Sequence, residues 1–217
     1  TKLKDIAIKT NKEWAKKLGI NQSAAITCVK PSGTVSQLVD SASGIHPRFS
    51  EFYIRRVRSD KKDPLAVFME SKGFPVEQDV MSTTNSVFSF PIKSPKDSVT
   101  VSQVGAMQQL ELWKAYQNYW CEHKPSITVY YTDDEFLEVA QWIWDNFDLC
   151  SGISLLPVSD HVYQQAPYEN IDKDQYKALL ASMPKNIDWE DLANFETEDN
   201  TTGSQELACT GGACEIV

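Results

Sequence analysis

The sequence holds little that would build a metal centre, a membrane anchor or a nucleic-acid groove. It has three histidines in 217 residues. His46, the one set in a motif-like context, has no second histidine or acid at ligand spacing, so no metal site is expected. No apolar run is long enough to span a bilayer, and no charged–apolar–small-residue leader is expected before the first helix. The G-x-x-x-x-G-K-[ST] pattern of a nucleotide P-loop is missing. Five cysteines in a chain of this length do not make a secreted disulfide scaffold, and a cytoplasmic setting is expected. Lysine and arginine are missing from Asn186 to the end, where eight of the 30 acids lie. The net charge of −9 therefore belongs to that segment, and the remainder is close to neutral. Such a distribution argues against nucleic-acid binding through bulk charge and describes a solvated arm. The first residue is Thr1 and not methionine, so a processed product or a piece of something longer is expected.

The most informative stretch is Ile26-Thr-Cys-Val-Lys30-Pro-Ser-Gly-Thr34-Val-Ser36. An apolar run suited to a buried strand stops at Lys30, proline and glycine force a turn, and hydroxyl residues occupy the expected start of a helix. Backbone N–H groups at such a start bind anions, and small residues let a phosphate approach closely. The alternative is an ordinary strand–turn–helix connection in which Ser32 or Thr34 only caps the helix.

Around this stretch the pattern alternates. Residues 3–18 are expected to form an amphipathic helix stopped at Gly19. A second turn, Ser43-Gly-Ile-His-Pro47, leads into a mixed aromatic and basic segment, 49–58, of undecided structure. Its Arg55, Arg56 and Arg58 could serve phosphates, acidic partners or structure. Helices are expected over 64–72, 103–121, from Thr132 or Asp133 to 147, and from Asp172 to before Pro184. Strands are expected over 85–92, with Pro91 at an edge or end, over 126–131 and over 152–156. Strands alternating with helices of this length define an α/β body with some parallel pairing. Beyond it only a helical turn at 189–193 is expected, and from Asn194 the composition is that of a linker.

Cys28, Cys121 and Cys150 sit in apolar or amphipathic runs and read as packing residues. Cys209 and Cys214 differ, since they bracket Thr-Gly-Gly-Ala three residues from the end. The glycines allow the loop to close into a disulfide, and the tail supplies no further soft ligands for zinc. A reversible dithiol or an incidental pair remains, and a mobile acidic arm favours the dithiol. About 14 flexible residues precede the pair, with a root-mean-square span on the order of 20 Å. Glu206 and Glu215 disfavour the thiolate until the arm docks near positive charge.

Several ordered motifs carry a family resemblance. Val29-Lys-Pro-Ser-Gly-Thr-Val-Ser36, Gly44-Ile-His-Pro47, Tyr53-Ile-Arg-Arg-Val-Arg58, Asp63-Pro-Leu65, Ser126-Ile-Thr-Val129, Ser154-Leu-Leu-Pro157, Gln165-Ala-Pro167 with Ile171-Asp-Lys173, and the terminal Cys209 and Cys214 occur in sequence order. Together they resemble the C-terminal part of class II ribonucleotide reductase, in particular its monomeric, adenosylcobalamin-dependent ribonucleoside-triphosphate reductase type. The resemblance covers essentially the whole chain. It implies part of the second half of a ten-stranded α/β barrel over 1–185, followed by a flexible acidic tail over 186–217. It also implies conversion of ribonucleotides to deoxyribonucleotides for DNA synthesis, with adenosylcobalamin as cofactor.

Carried over by position, the substrate phosphates fall to Pro31, Ser32, Gly33, Thr34, Val35 and Ser36. Re-reduction of the active-site disulfide falls to Cys209 and Cys214, themselves reduced by thioredoxin. None of Cys28, Cys121 or Cys150 has the context of the family's radical cysteine, so the chain is expected to be inactive without an N-terminal portion. Two rival readings are a class I large-subunit fragment, suggested by Tyr130-Tyr131, and a non-enzymatic nucleotide- or partner-binding module. Adjacent strand residues face opposite sides, which disfavours the first.

Overall fold

The computed structural model describes residues 1–33, 35–158 and 164–197. Helix α1 (Lys2–Leu18) forms as expected and stops at Gly19, whose φ of 68° suits a residue without a Cβ. Its apolar residues Leu3, Ile6, Trp14 and Leu18 stay exposed, and Ala15 alone of the helix is buried. No helix among the described residues is long and apolar enough to cross a membrane.

The chain divides into two compact units that alternate in sequence, one from Thr1–Glu51 with the described residues of 94–160, the other from Phe52–Lys93 with those of 161–217. The first unit contains α1, the single turn α2 (Val35–Leu38), α4 (Ala106–Tyr119), α5 (Phe136–Asp145) and the strands β4 (Thr128–Tyr131) and β5 (Ser154–Pro157). Strands β4 and β5 run parallel, with Thr128 opposite Ser154 and Tyr131 opposite Pro157. Its core joins Ile45 from the second turn to Leu110 and Trp113 of α4, Val139 and Trp142 of α5, and Ile127 and Val129. Trp113 and Trp142 meet edge to face with ring centres 6.3 Å apart. Both indoles have acceptors, the Pro125 carbonyl at 2.9 Å and the Glu111 carboxylate at 2.7 Å.

The second unit is an antiparallel sheet in the order β2-β3-β1-β6, from β2 (Val76–Gln78), β3 (Asn85–Lys93), β1 (Phe52–Asp60) and β6 (Tyr168–Asn170). The undecided segment 49–58 is thus mostly strand β1, paired with β3 from Phe52↔Lys93 to Asp60↔Asn85. Pro91 lies opposite Ile54, beyond the stretch of β3 that β2 covers, so its missing N–H leaves no β2 partner unpaired. Successive residues point to opposite faces. On one face, Phe52 and Ile54 pack with Ile171 and with Tyr176 and Leu179 of α6 (Lys173–Ser182). On the other, Phe88 packs with Ala66, Phe68 and Met69 of α3 (Pro64–Ser71), a helix capped by the Asp63 carboxylate.

Three expectations need correction. The short strands β2 and β6 have too few residues for a periodic signal and were not anticipated. The expected tail begins too early at 186, because Ile187, Leu192 and Phe195 pack against the α3 cluster and the ring of Trp189 lies 5.4 Å from that of Phe68. Lys72 also pairs with Asp191, which holds that carboxyl below the usual range. Finally, the stretch ending at Lys30 is extended but is not a strand, for reasons that belong to the site.

Candidate functional site

The residues before the glycine-containing turn pair their backbone groups with side chains and with the single amides of Glu122 and Ser126. The Glu122 carboxylate accepts the N–H groups of Ile26 at 3.0 Å and Thr27 at 3.2 Å, and these bonds, with that of Ile26 foremost, hold its pKa below the ordinary glutamate range. The Trp120 indole donates to the Cys28 carbonyl at 3.3 Å, and the Glu122 N–H to the Thr27 carbonyl at 2.8 Å. With those groups committed, no neighbouring strand is needed and none is formed. Burial pushes the Cys121 and Cys150 thiols up, in keeping with packing roles.

The turn itself is tied internally. Ser32 Oγ accepts the Ser36 N–H at 2.9 Å, and Ser36 Oγ donates to the Ser32 carbonyl at 2.7 Å. Ser36 is 5% exposed, and its hydroxyl holds the turn. Pro31, Gly33 and Val35 are exposed, while Thr34 lies outside the described residues. Helix α2 is one turn long, too short for a large dipole, so any anion would be held by individual amides. A Cβ built on Gly33 meets nothing within 4 Å, and its φ is not left-handed. Among the described residues, therefore, nothing in the fold requires glycine at 33.

The second turn sits directly beneath. Gly44 has a φ of 59°, and a Cβ there would come within 3.0 Å of the Lys30 carbonyl oxygen. Ser43 Oγ accepts the Ser32 N–H at 2.7 Å. At the far end, Arg48 donates to the Ser41 carbonyl at 2.7 Å and to the Asp40 carboxylate at 3.0 Å, and is itself 5% exposed. Asp40 occupies the left-handed region at φ 49°, which the short acidic side chain tolerates. The roles of Ser43, His46, Arg48 and Glu122 were not foreseen. Only the Gly-Ile-His-Pro pattern pointed at them, and it reads simply as a turn.

The edge of β4 that faces away from β5 is closed by side chains. Ser154 and Val158 donate to the Ile127 and Tyr131 carbonyls on the β5 side. On the other side His46 Nε2 accepts the Thr128 N–H at 2.9 Å, and the Gln109 amide both accepts from the Tyr130 N–H at 3.2 Å and donates to its carbonyl at 3.1 Å. Gln109 is 2% exposed and acts as a stand-in for a neighbouring strand. Tyr130 and Tyr131, adjacent on β4, point to opposite faces and do not stack.

Arg56 and Arg58 of the basic cluster have structural partners within the second unit. Arg56 pairs with Glu169 and donates to the Ala166 carbonyl at 3.0 Å. Arg58 pairs with the buried Asp79 at 3.3 Å and donates to the Gln165 carbonyl at 3.0 Å. Gln165 sits at φ 56°, with its side-chain amide bonded to Glu77, the Gln78 carbonyl and the Val80 N–H. Cys209 and Cys214 lie outside the described residues.

This architecture has a counterpart among solved structures. A crystal structure of a B12-dependent class II ribonucleotide reductase superposes on 91% of this chain and 28% of its own, with a TM-score of 0.75 and 28% identity. Sequence relatives narrow the match. The probable adenosylcobalamin-dependent ribonucleoside-triphosphate reductase of Dictyostelium discoideum is 34% identical over 209 residues, 94% of this chain and 26% of that protein. The adenosylcobalamin-dependent ribonucleoside-triphosphate reductase of Lactobacillus leichmannii is 30% identical over 219 residues, 96% of this chain and 29% of that protein. The chain is a relative of this reductase family along nearly its whole length, and spans between a quarter and a third of the length of these relatives. No family model matches it.

Proposed function

We propose that the chain is the C-terminal portion of an adenosylcobalamin-dependent ribonucleoside-triphosphate reductase, acting in the cytoplasm to make deoxyribonucleotides for DNA synthesis. The substrate phosphates are held by residues 31–36, the role falling on Pro31, Ser32, Gly33, Thr34, Val35 and Ser36. The observation that carries this reading is the similarity to ribonucleoside-triphosphate reductases over 94–96% of this chain, with hydrogen bonds between Ser32 and Ser36 holding the turn. Holding the phosphates fixes the ribose at reacting distance, so the contribution of this chain is mainly orientation. The chain is read as part of the second half of a ten-stranded α/β barrel.

The cofactor supplies radical chemistry when bound. Among the described residues no group of three or more His, Cys, Asp or Glu is placed to hold a metal ion, and both ring nitrogens of His46 have partners, so no residue described here is assigned to it. The radical cysteine belongs to the N-terminal portion. Cys209 and Cys214 serve as the electron carrier. Their dithiol exchanges with the active-site disulfide, passing on two electrons and two protons, and the resulting disulfide is reduced by thioredoxin.

The test uses the complete reductase with adenosylcobalamin, ribonucleoside triphosphate and thioredoxin. With Cys209→Ser and Cys214→Ser, one turnover from prereduced enzyme is expected to persist while multiple turnover collapses. Undiminished multiple turnover would refute the electron-carrier role, and a requirement for a metal-containing second subunit would refute the class II assignment.

A further inference from the structure

The loop from Pro31 to Ser41 is tied at both ends to one short segment, residues 43–48. Ser43 takes the Ser32 N–H at the start, and Arg48 takes Asp40 and the Ser41 carbonyl at the end. Ile45, between them, is buried in the core of the first unit and fixes the segment from below. His46 connects this assembly to β4.

The hydrogen bonds of His46 define its state. The Thr128 N–H can only donate, and it lies 2.9 Å from Nε2, so Nε2 carries no proton. The Ser43 carbonyl can only accept, and it lies 2.6 Å from Nδ1, so Nδ1 carries the proton. A neutral imidazole in this tautomer satisfies both at once. Three bonds then run in series, from Thr128 N–H to His46, from His46 to the Ser43 carbonyl, and from the Ser32 N–H to Ser43 Oγ. The first residue of β4 is thereby linked to the first amide of the loop.

We infer that His46 is a positioning residue for substrate, setting the phosphate loop against β4 without touching the substrate itself. The inference rests on the phosphate reading of residues 31–36. Capping the β4 edge would by itself be a structural role, and it differs from positioning in what it alters. A loss of fold lowers the amount of active enzyme and leaves KM in place, whereas a displaced loop raises KM.

The experiment measures KM and kcat for a ribonucleoside triphosphate, together with Tm, in the complete reductase. Glutamine can place an amide where Nε2 sits and accept from Thr128, while asparagine reaches only as far as the Ser43 carbonyl, so each keeps one of the two bonds and breaks the series. His46→Ala, His46→Asn and His46→Gln are each expected to raise KM about tenfold, the equivalent of one hydrogen bond's worth of alignment, with kcat within about twofold. Unchanged KM in the asparagine and glutamine variants overturns the inference, as does full rescue by glutamine, which would show that capping Thr128 is all that His46 does. If alanine prevents folding, the asparagine and glutamine pair decides the matter. A Gly33→Val control separates the two readings. If it raises KM while the His46 variants do not, the phosphate loop stands and the positioning role falls. If none of them moves KM, both fall.

Discussion

In the unit built on β1, backbone groups are paired mostly with other backbone groups, through an uninterrupted ladder from Phe52↔Lys93 to Asp60↔Asn85. In the unit that carries the loop, four side chains pair backbone N–H groups of loops, a strand edge and helix starts. Glu122 covers Ile26 and Thr27, His46 covers Thr128, Gln109 covers Tyr130, and Glu135 covers Thr132 and Ala106. A ladder tolerates change at single side chains, because its hydrogen bonds belong to the main chain. A framework stitched by side chains sets backbone positions closely, and each stitch is a point at which it can fail. The candidate site lies in the stitched unit, where the course of the loop depends on particular residues and not on a repeating register.

Breaking one stitch is expected to have the largest effect. Gln109→Leu keeps the volume of a buried residue but removes the two bonds that Gln109 makes to the Tyr130 backbone, and about 2–6 kcal/mol of stability should be lost at about 1–3 kcal/mol for each. Denaturant unfolding measures it, and a loss below about 0.5 kcal/mol would show that water or a neighbouring strand substitutes.

A smaller, pH-dependent effect is expected at Glu135. Its carboxylate accepts the Thr132 N–H at 2.9 Å and the Ala106 N–H at 2.8 Å, and the Thr132 bond first among these holds its pKa below the ordinary value. A carboxyl depressed in the folded state contributes stability that is complete above the unfolded value, about 4.3, and is lost as pH falls through the folded one. Glu135→Gln should lower Tm near neutrality and flatten its decline on acidification. A decline as steep as in the parent protein would place the acid sensitivity elsewhere. Gly105 belongs to the same stitch, since a Cβ there would lie 3.0 Å from the Glu135 carboxylate.

The smallest effect is expected in the laddered unit. Ser89 Oγ is buried on β3 without a hydrogen-bond partner among the described residues, so Ser89→Ala should change stability by less than about 0.5 kcal/mol or raise it slightly. A loss comparable to that of Gln109→Leu would erase the contrast between the units.

The same contrast explains what was legible in the sequence. Helices α1, α4, α5 and α6 and strands β3, β4 and β5 show in the spacing of apolar residues; in α4 and α5 the spaced residues are buried, whereas those of α1 and all of β5 stay exposed. Helix α4 begins at Ala106 and not at 103, since residues 101–103 make a 3₁₀ turn capped at Thr100. Strand β1 was undecided because Arg55, Arg56 and Arg58 interrupt its apolar pattern, and in the fold Arg56 and Arg58 are satisfied by carbonyls of 165–166 and by Glu169 and Asp79. The stretch 26–30 reads as a strand because it is apolar, yet its partners are Glu122 and Trp120, more than ninety positions away, and no local pattern announces them. The Pro-Ser-Gly-Thr turn was visible, but its support was not, since His46 and Arg48 look like ordinary residues of a second turn.

The proposal that joins these observations is that the loop is shaped by its own framework and receives the substrate phosphates. Gly33→Val in the complete reductase tests it most directly, because a Cβ at 33 meets nothing within 4 Å among the described residues. Substrate KM should rise by at least about tenfold while Tm stays within about 1 °C of the parent protein. An unchanged KM would contradict the account, and so would a KM that rises only in step with a fall in Tm.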